Sequence, residues 1–308
     1  MQGVMKKSDE YHLPVLLQTS VDGLITNKQG IYVDVTFGGG GHSRAVLSNL
    51  GNNGKLIGFD QDEDAQANIP DDERFRFVQS NFRFLKNSLR FIGLKKVDGV
   101  LADLGVSSHQ FDVPERGFSI RSNARLDMRM GKGIGISAYE VVNTYPEEKL
   151  ATIFKEYGEL KEAYKLANRI VYHRTMAPIE TTEELVSKIG SLARSNKHNQ
   201  FLAQVFQALR IEVNGEMKAL EELLLQCAEV IEPGGKLVVI SYHSLEDRMV
   251  KRFMKSGNFE GKDEKDFFGN PIRPFTPEKG MPIVPGIEEI ELNSRARSAK
   301  LRIATRNE

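Results

Sequence analysis

The stretch V-D-V-T-F-G-G-G-G-H-S, residues 33–43, ends a β-branched run and opens a segment of helical character. Glycines at such a turn let the backbone close on a ligand at the carboxyl edge of a sheet. The next strand-like run ends G-F-D and puts Asp60 at its tip. An acid about 20 residues past a glycine loop takes the ribose hydroxyls of an adenosine-bearing cofactor. Two such cofactors use this layout. A dinucleotide needs G-x-G-x-x-G/A, so that its pyrophosphate rests on the helix N-terminus. Counted from Gly38 the last position is Ser43, and counted from Gly39 it is Arg44, so neither frame fits. S-adenosylmethionine carries no phosphate. Its methionine end can use Asp34, the amides of the loop around Gly40 and Gly41, and a polar residue such as His42. Phe82, in Q-S-N-F, can lie against an adenine ring or sit in the core. Asp103 ends V-D-G-V-L-A-D, facing the place where a methyl group would be transferred. Aspartate is rarely buried for packing alone.

These side chains need a scaffold, and the apolar pattern supplies one. Strand-like runs at 31–35, 55–59, 74–78 and 97–102 alternate with helical stretches at 43–50, 62–68 and 83–91. That spacing reads as βαβ units on a parallel sheet. Residues 109–136 read as a long loop, and 137–213 as helical, with starts at Ser137 and Pro146 and helices over 159–173 and 182–193. Thr182 reads as the cap of the last of these, by its spacing to Leu185, Ile189 and Leu192. A strand returns at 236–241 after the turn Pro233-Gly234-Gly235, followed by a helix over 244–255, a Gly- and Pro-rich loop over 256–287 and a last strand at 301–305. The fold class is therefore α/β: one domain made of 1–108 and 214–308, interrupted by a helical domain at 109–213.

Composition narrows the function classes. The 308 residues carry 42 Lys+Arg against 42 Asp+Glu, which excludes a uniformly basic nucleic-acid coat but not a local basic patch. The single cysteine, Cys227, excludes an internal disulfide and a multi-cysteine zinc site and reads as inert core; no metal is expected. No apolar stretch follows the lysines at the N-terminus, and no apolar run approaches the length of a membrane span. The expectation is a soluble, cytoplasmic protein.

Longer blocks carry a family resemblance. They are Y-H-L-P-V-L-L (11–17), F-G-G-G-G-H-S, L-A-D-L-G-V-S-S, R-G-F-S (116–119), L-D-M-R-M (126–130), V-V-N-T-Y (141–145) and E-Y-G-E (156–159). F-Q-A-L-R-I-E-V-N (206–214), P-G-G-K-L-V-V-I-S-Y-H-S-L-E-D-R (233–248) and N-S-R-A-R-S-A-K-L-R (293–302) complete the set, in order along nearly the whole chain. The sequence resembles the bacterial 16S ribosomal RNA cytosine-N4 methyltransferases, the RsmH or MraW family. The resemblance implies a class I, Rossmann-like S-adenosylmethionine-dependent methyltransferase with an inserted helical domain for substrate recognition. It also implies a cytidine in the decoding region (P site) of 16S ribosomal RNA as target, with the RNA or the small ribosomal subunit as partner. A homodimer is compatible with it. The family's cofactor contacts fall on Gly40, Gly41, His42, Asp60, Phe82, Asp103 and Gln110. The chain departs from the family pattern at F-L-A-Q (201–204) and R-S-N-A-R (121–125), on the substrate side.

Cytosine N4 is a poor nucleophile, because its lone pair is delocalised into the ring. Its transfer chemistry is helped by acceptors for the amine hydrogens. Many amino-methyltransferases use D/N-P-P-Y/F; this chain has D-L-G-V at 103–106. Asp103 can supply one acceptor and the Leu104 carbonyl the second, with Tyr242 or Phe118 as the aromatic against the base. His243 reads either as a second candidate proton acceptor or as a loop residue holding Glu246 or Asp247. Arg295, Arg297, Lys300 and Arg302 form a basic cluster, and Arg248, Lys251, Arg252 and Lys255 a second; each reads as phosphate contact or as a solvated face. Two other functions compete. A DNA amino-methyltransferase is disfavoured by the missing D-P-P-Y, and a non-catalytic RNA-binding or assembly factor by the intact Gly40, Asp60 and Asp103.

Overall fold

The computed structural model describes residues 14–308 except Lys132 and Ile134; the charged N-terminus and the Tyr11–Leu13 part of the first family block lie outside it. Seven strands form one sheet: β1 (Ile31–Asp34), β2 (Lys55–Asp60), β3 (Phe75–Gln79), β4 (Val97–Asp103), β5 (Ile231–Ser241), β6 (Phe275–Pro277) and β7 (Lys300–Arg306). Their order is β3-β2-β1-β4-β5-β7-β6. The first five are parallel, β7 runs antiparallel to β5, and β6 antiparallel to β7. The order reverses between β1 and β4, so the crevice for a ligand lies outside their carboxyl ends.

Helices cover both faces, which is why the central strands are apolar without alternation. Helices α1 (Leu17–Leu24) and α2 (Gly41–Asn49) pack Leu24, Val46 and Leu47 against Tyr32, Leu56, Leu101 and Val238. On the other face α3 (Leu85–Phe91) contributes Leu85 and Leu89 to the core around Val33, Ile57 and Val100. After β4 the chain leaves the sheet through α4 (Ser108–Asp112). It then builds α5 (Ala138–Thr144), α6 (Glu147–Glu156), α7 (Ala163–Met176), α8 (Thr182–Ile189) and α9 (His198–Asn214) around a core of their own that includes Leu126, Met128, Phe154, Ile170 and Leu209. Gly215, at φ 58, ends α9 and starts α10 (Glu216–Val230), which returns to the sheet and adds Leu220, Leu223, Leu224 and Cys227 to its core. Burial pushes the Cys227 thiol well above its usual range, in keeping with inert core. Helices α11 (Ser244–Ser256) and α12 (Ile287–Leu292) complete the chain.

Several local expectations change. Residues 109–136 are not all loop: α4 and a 3₁₀ turn at Pro114–Arg116 lie there, the first held by a Ser107–Gln110 capping box rather than by apolar periodicity. The helical stretch expected at 62–68 is a 3₁₀ helix, Glu63–Asn68. Helix α7 starts four residues later than expected, because Glu159 adopts a left-handed φ of 51. Its neighbour α8 is capped by Thr181, whose side chain accepts from the Glu184 amide; Thr182 is buried and its Oγ1 donates to the Ser122 carbonyl. Residues 256–287 contain β6, anchored by the buried Phe275. A three-residue edge strand is too short to leave a pattern in sequence.

Candidate active site

The tips of β1, β2 and β4 converge on the glycine turn. Gly38 and Gly40 have φ of +48 and +73, and a Cβ on Gly41 would come within 2.3 Å of the Pro14 ring. The Gly38 and Asp62 amides each donate to Asp60, at 2.8 Å. Burial pushes the Asp60 carboxyl up to about 6. Asp103 ends β4 with its amide donating to Thr36 Oγ1 at 2.7 Å, which ties that strand to the turn after β1. The Tyr242 hydroxyl donates to Asp103 Oδ1 at 2.8 Å. His42 Nδ1 lies 3.6 Å from Asp103 Oδ2. Burial raises the Asp103 carboxyl above its ordinary value, opposed by His42 and the Tyr242 hydrogen bond.

Asp34 corrects one expectation. It is 1% exposed; Oδ2 accepts from Ser43 Oγ at 2.7 Å and Oδ1 from the Thr36 amide at 3.1 Å. It holds the turn from behind instead of offering a face to a ligand. Gln110 is also buried. Its Oε1 accepts from the Ser107 amide and its Nε2 donates to Asp62 at 3.0 Å. Phe82 is half-buried on a 3₁₀ turn and packs against the sheet core.

His243 goes elsewhere. Its Nδ1 accepts from the Glu246 amide at 3.4 Å, capping α11, and Nε2 lies 3.1 Å from Glu246 Oε1 without good alignment. Glu246 in turn accepts from the Tyr242 amide at 2.9 Å. The imidazole thus belongs to the turn that carries Tyr242, and the side chains on the Asp103 carboxylate are His42 and Tyr242. A Glu216 oxygen also comes near His243 and Glu246. With Nδ1 accepting, the neutral ring keeps its proton on Nε2 and has no lone pair there for a metal ion. Phe118 is buried in the helical core, which removes it as the aromatic for a target base.

The basic cluster does not survive as a unit. Arg302 is 8% exposed and its Nε donates to Asp247 at 2.7 Å, so it is a structural ion pair and not a phosphate contact. Lys300 shares that carboxylate at 3.2 Å. Arg295 pairs with Asp112 at 2.6 Å on the surface, and Arg297 is exposed. Lys300 and Arg302 are two apart in β7 and share one face of the strand, whereas Arg295 and Arg297 lie on the 3₁₀ turn Ser294–Ser298 before it.

One important residue escaped sequence reasoning. Arg116 is 9% exposed and lies 2.9 Å from Asp62 and 3.4 Å from Asp64. Its Nη2 donates to the carbonyls of Arg129 and Met130, at 3.0 and 2.8 Å. One guanidinium therefore joins the loop after β2 to the chain entering the helical core. Its only sequence signal was its place in R-G-F-S.

The crevice suits a cationic ligand better than a diphosphate. Backbone lines it at Gly38–Gly41 and at Gly105, where a Cβ would lie 3.5 Å from the Tyr242 ring. Asp60 and Asp103 are the charged groups at its strand tips. A 3-2-1-4-5-7-6 sheet with a glycine turn after β1 and acids ending β2 and β4 defines a class I methyltransferase, whose methyl donor is S-adenosylmethionine. The chain belongs to the MraW methylase family, whose model matches residues 9–307. It is 58% identical over 300 residues to the ribosomal RNA small subunit methyltransferase H of Flavobacterium johnsoniae, covering 97% of this chain and 99% of that one. It is also 58% identical over 294 residues to the protein of that name from Bacteroides fragilis, covering 96% and 97%. Among the described residues no helix is long and apolar enough to cross a membrane.

Proposed function

We propose that this chain transfers a methyl group to the exocyclic N4 of a cytidine in the decoding region of small-subunit ribosomal RNA, in the cytoplasm. Relatives of the same length and more than half identical carry a ribosomal RNA methyltransferase name, which supports the substrate class. The observation that carries the chemistry is Asp103, a carboxylate at the crevice with Tyr242 on one oxygen and His42 beside the other.

S-adenosylmethionine, when bound, supplies an electrophilic methyl carbon. Gly40, Gly41 and His42 would hold its methionine end, Asp60 its ribose hydroxyls and Phe82 its adenine, with Gln110 acting through Asp62. The chain's own task is to make the amine reactive. The amine must be held in a near-attack pose, with about 3–3.5 Å between reacting atoms. Asp103 and the Leu104 carbonyl accept its two hydrogens, so that the nitrogen can pyramidalise. As the methyl carbon would leave the donor's sulfonium sulfur for N4, the surplus amine proton would pass to Asp103. Tyr242 fixes the carboxylate and presents its ring beside Gly105, where a base would stack. The helical region at 109–213 takes the RNA, with Arg116 setting its position relative to the cofactor loop.

The test is tritiated-methyl transfer to small ribosomal subunits and to naked 16S RNA, followed by nucleoside analysis. Label in N4-methylcytidine supports the assignment. Label in another nucleoside, or transfer to DNA alone, overturns it.

A further inference from the structure

His42 is 6% exposed, and a polar atom lies near each of its ring nitrogens. Nε2 lies 3.2 Å from the Val15 carbonyl oxygen. A carbonyl only accepts, so Nε2 carries a hydrogen. In a neutral ring Nδ1 is then a bare lone pair. That lone pair would point at Asp103 Oδ2, 3.6 Å away, which in a carboxylate is also only an acceptor. Two acceptors facing each other repel, and with the His42 side chain 7% and the Asp103 side chain 25% exposed, water relieves them only in part. A single proton between them turns the repulsion into an ion pair.

We infer that His42 and Asp103 hold one proton between Nδ1 and Oδ2, and that His42 is the residue that keeps Asp103 ionised for the reacting amine. This rests on the acceptor role given to Asp103 above, and it adds a role for His42 beyond cofactor contact.

The surroundings agree. His42 from α2 and the Tyr242 hydroxyl beyond β5 touch the Asp103 carboxyl, and the charges of Asp34 on β1 and Glu246 on α11 act on it from farther away. Burial, Asp34 and Glu246 all favour the neutral acid, while His42 and the Tyr242 hydroxyl favour the ion. His42 also acts on Asp34, where it favours the ionised form. The Val15 carbonyl completes the arrangement from the segment before α1. That segment is held against the glycine turn by the close approach of Pro14 to Gly41.

The direct test is nitrogen-15 spectroscopy of the imidazole in the cofactor-free protein at neutral pH. The expected result is hydrogen on both ring nitrogens in wild type, and loss of the Nδ1 hydrogen in Asp103→Asn. A wild-type ring with bare Nδ1 overturns the proposal whatever the enzyme's activity. The second test is the pH profile of turnover in His42→Gln, which leaves an amide donor but no charge. Its acid limb should move up by about 1 pH unit or more, with the rate recovering in alkaline buffer. A uniform loss at every pH would mean that His42 acts only in packing or cofactor contact, and would overturn the charge role. If Asp103→Asn keeps normal turnover, the acceptor reading of Asp103 fails by itself, and the wild-type spectrum still decides the shared proton.

Discussion

Replacing Arg116 by Met removes a buried side chain that ties the loop after β2 to the helical region. Asp62, 4% exposed, then loses its cation and keeps a single side-chain donor, Gln110. Breaking a buried ion pair from one side costs about 3–5 kcal/mol, because the remaining charge has no compensation. The carbonyls of Arg129 and Met130 also lose their donor, but these costs overlap and do not simply add. At about 2–4 °C per kcal/mol, the fall in melting temperature is on the order of 10 °C. Arg116→Lys keeps the charge but has no planar fork, so it cannot serve Asp62 and two carbonyls together and should melt between the two. Asp62→Asn added to Arg116→Met neutralises the orphaned acid and should recover about 1–3 kcal/mol of the loss. Differential scanning calorimetry of the four proteins measures all of this, and cofactor titration tests whether the loop is loosened. If Arg116→Met melts within a degree of wild type, or if the double variant recovers nothing, the guanidinium is not the clasp described here.

Asp103→Ala should cut methyl transfer by roughly 10²–10⁴ at saturating cofactor, with Asp103→Asn in between, measured by single-turnover label transfer. Because His243 caps α11 instead of touching Asp103, His243→Ala should lower stability more than it lowers the rate per folded enzyme. Asp60 makes a pH prediction. Its carboxyl is raised from 3.8 to about 6, so its ionisation disfavours the folded state: that contribution to stability is fullest below 3.8 and is lost as pH rises through 6. Cofactor affinity runs the other way, since ribose hydroxyls need the ionised acceptor; it should weaken as pH falls below 6, and Asp60→Asn should bind weakly with no such dependence. Calorimetric titration between pH 5 and 8 would show a flat wild-type profile if Asp60 does not meet the ligand. Finally, Arg297→Ala should reduce the slope of log RNA affinity against log salt by roughly 0.7 if it meets a phosphate on single-stranded RNA. Arg302→Ala should destabilise the protein and leave the slope alone, and a slope change there would return Arg302 to the RNA face.

The order of elements was legible because each leaves a local mark. The apolar runs behind Val33, Ile57 and Val100 read as strands buried on both faces, and the structure places them side by side at the centre of the sheet. Asp60 and Asp103 were legible for the same reason: an acid ending such a run sits at the carboxyl edge whatever follows. The misreadings share a cause. β6 has three residues, α4 rests on a capping box, and the cap of α8 is Thr181, one residue before the expected Thr182, so each depends on one or two hydrogen bonds and not on a repeated pattern.

By itself the sequence determined the class of fold, the glycine turn, the acids at the strand tips and the family to which the chain belongs. Only the tertiary structure decided which side chains meet. Tyr242 touches Asp103 across 139 residues, Arg116 reaches Met130 while pairing with Asp62, and Arg302 turns inward to Asp247 while Arg297 stays exposed. Such pairings follow from sheet order and from the turns that leave the strand ends, which bring segments far apart in sequence into contact. A residue's type and its neighbours in sequence hold no record of that contact. The same limit applies to His42 and Asp103: their shared proton follows from where Val15 places a carbonyl, and nothing in G-G-H-S says so.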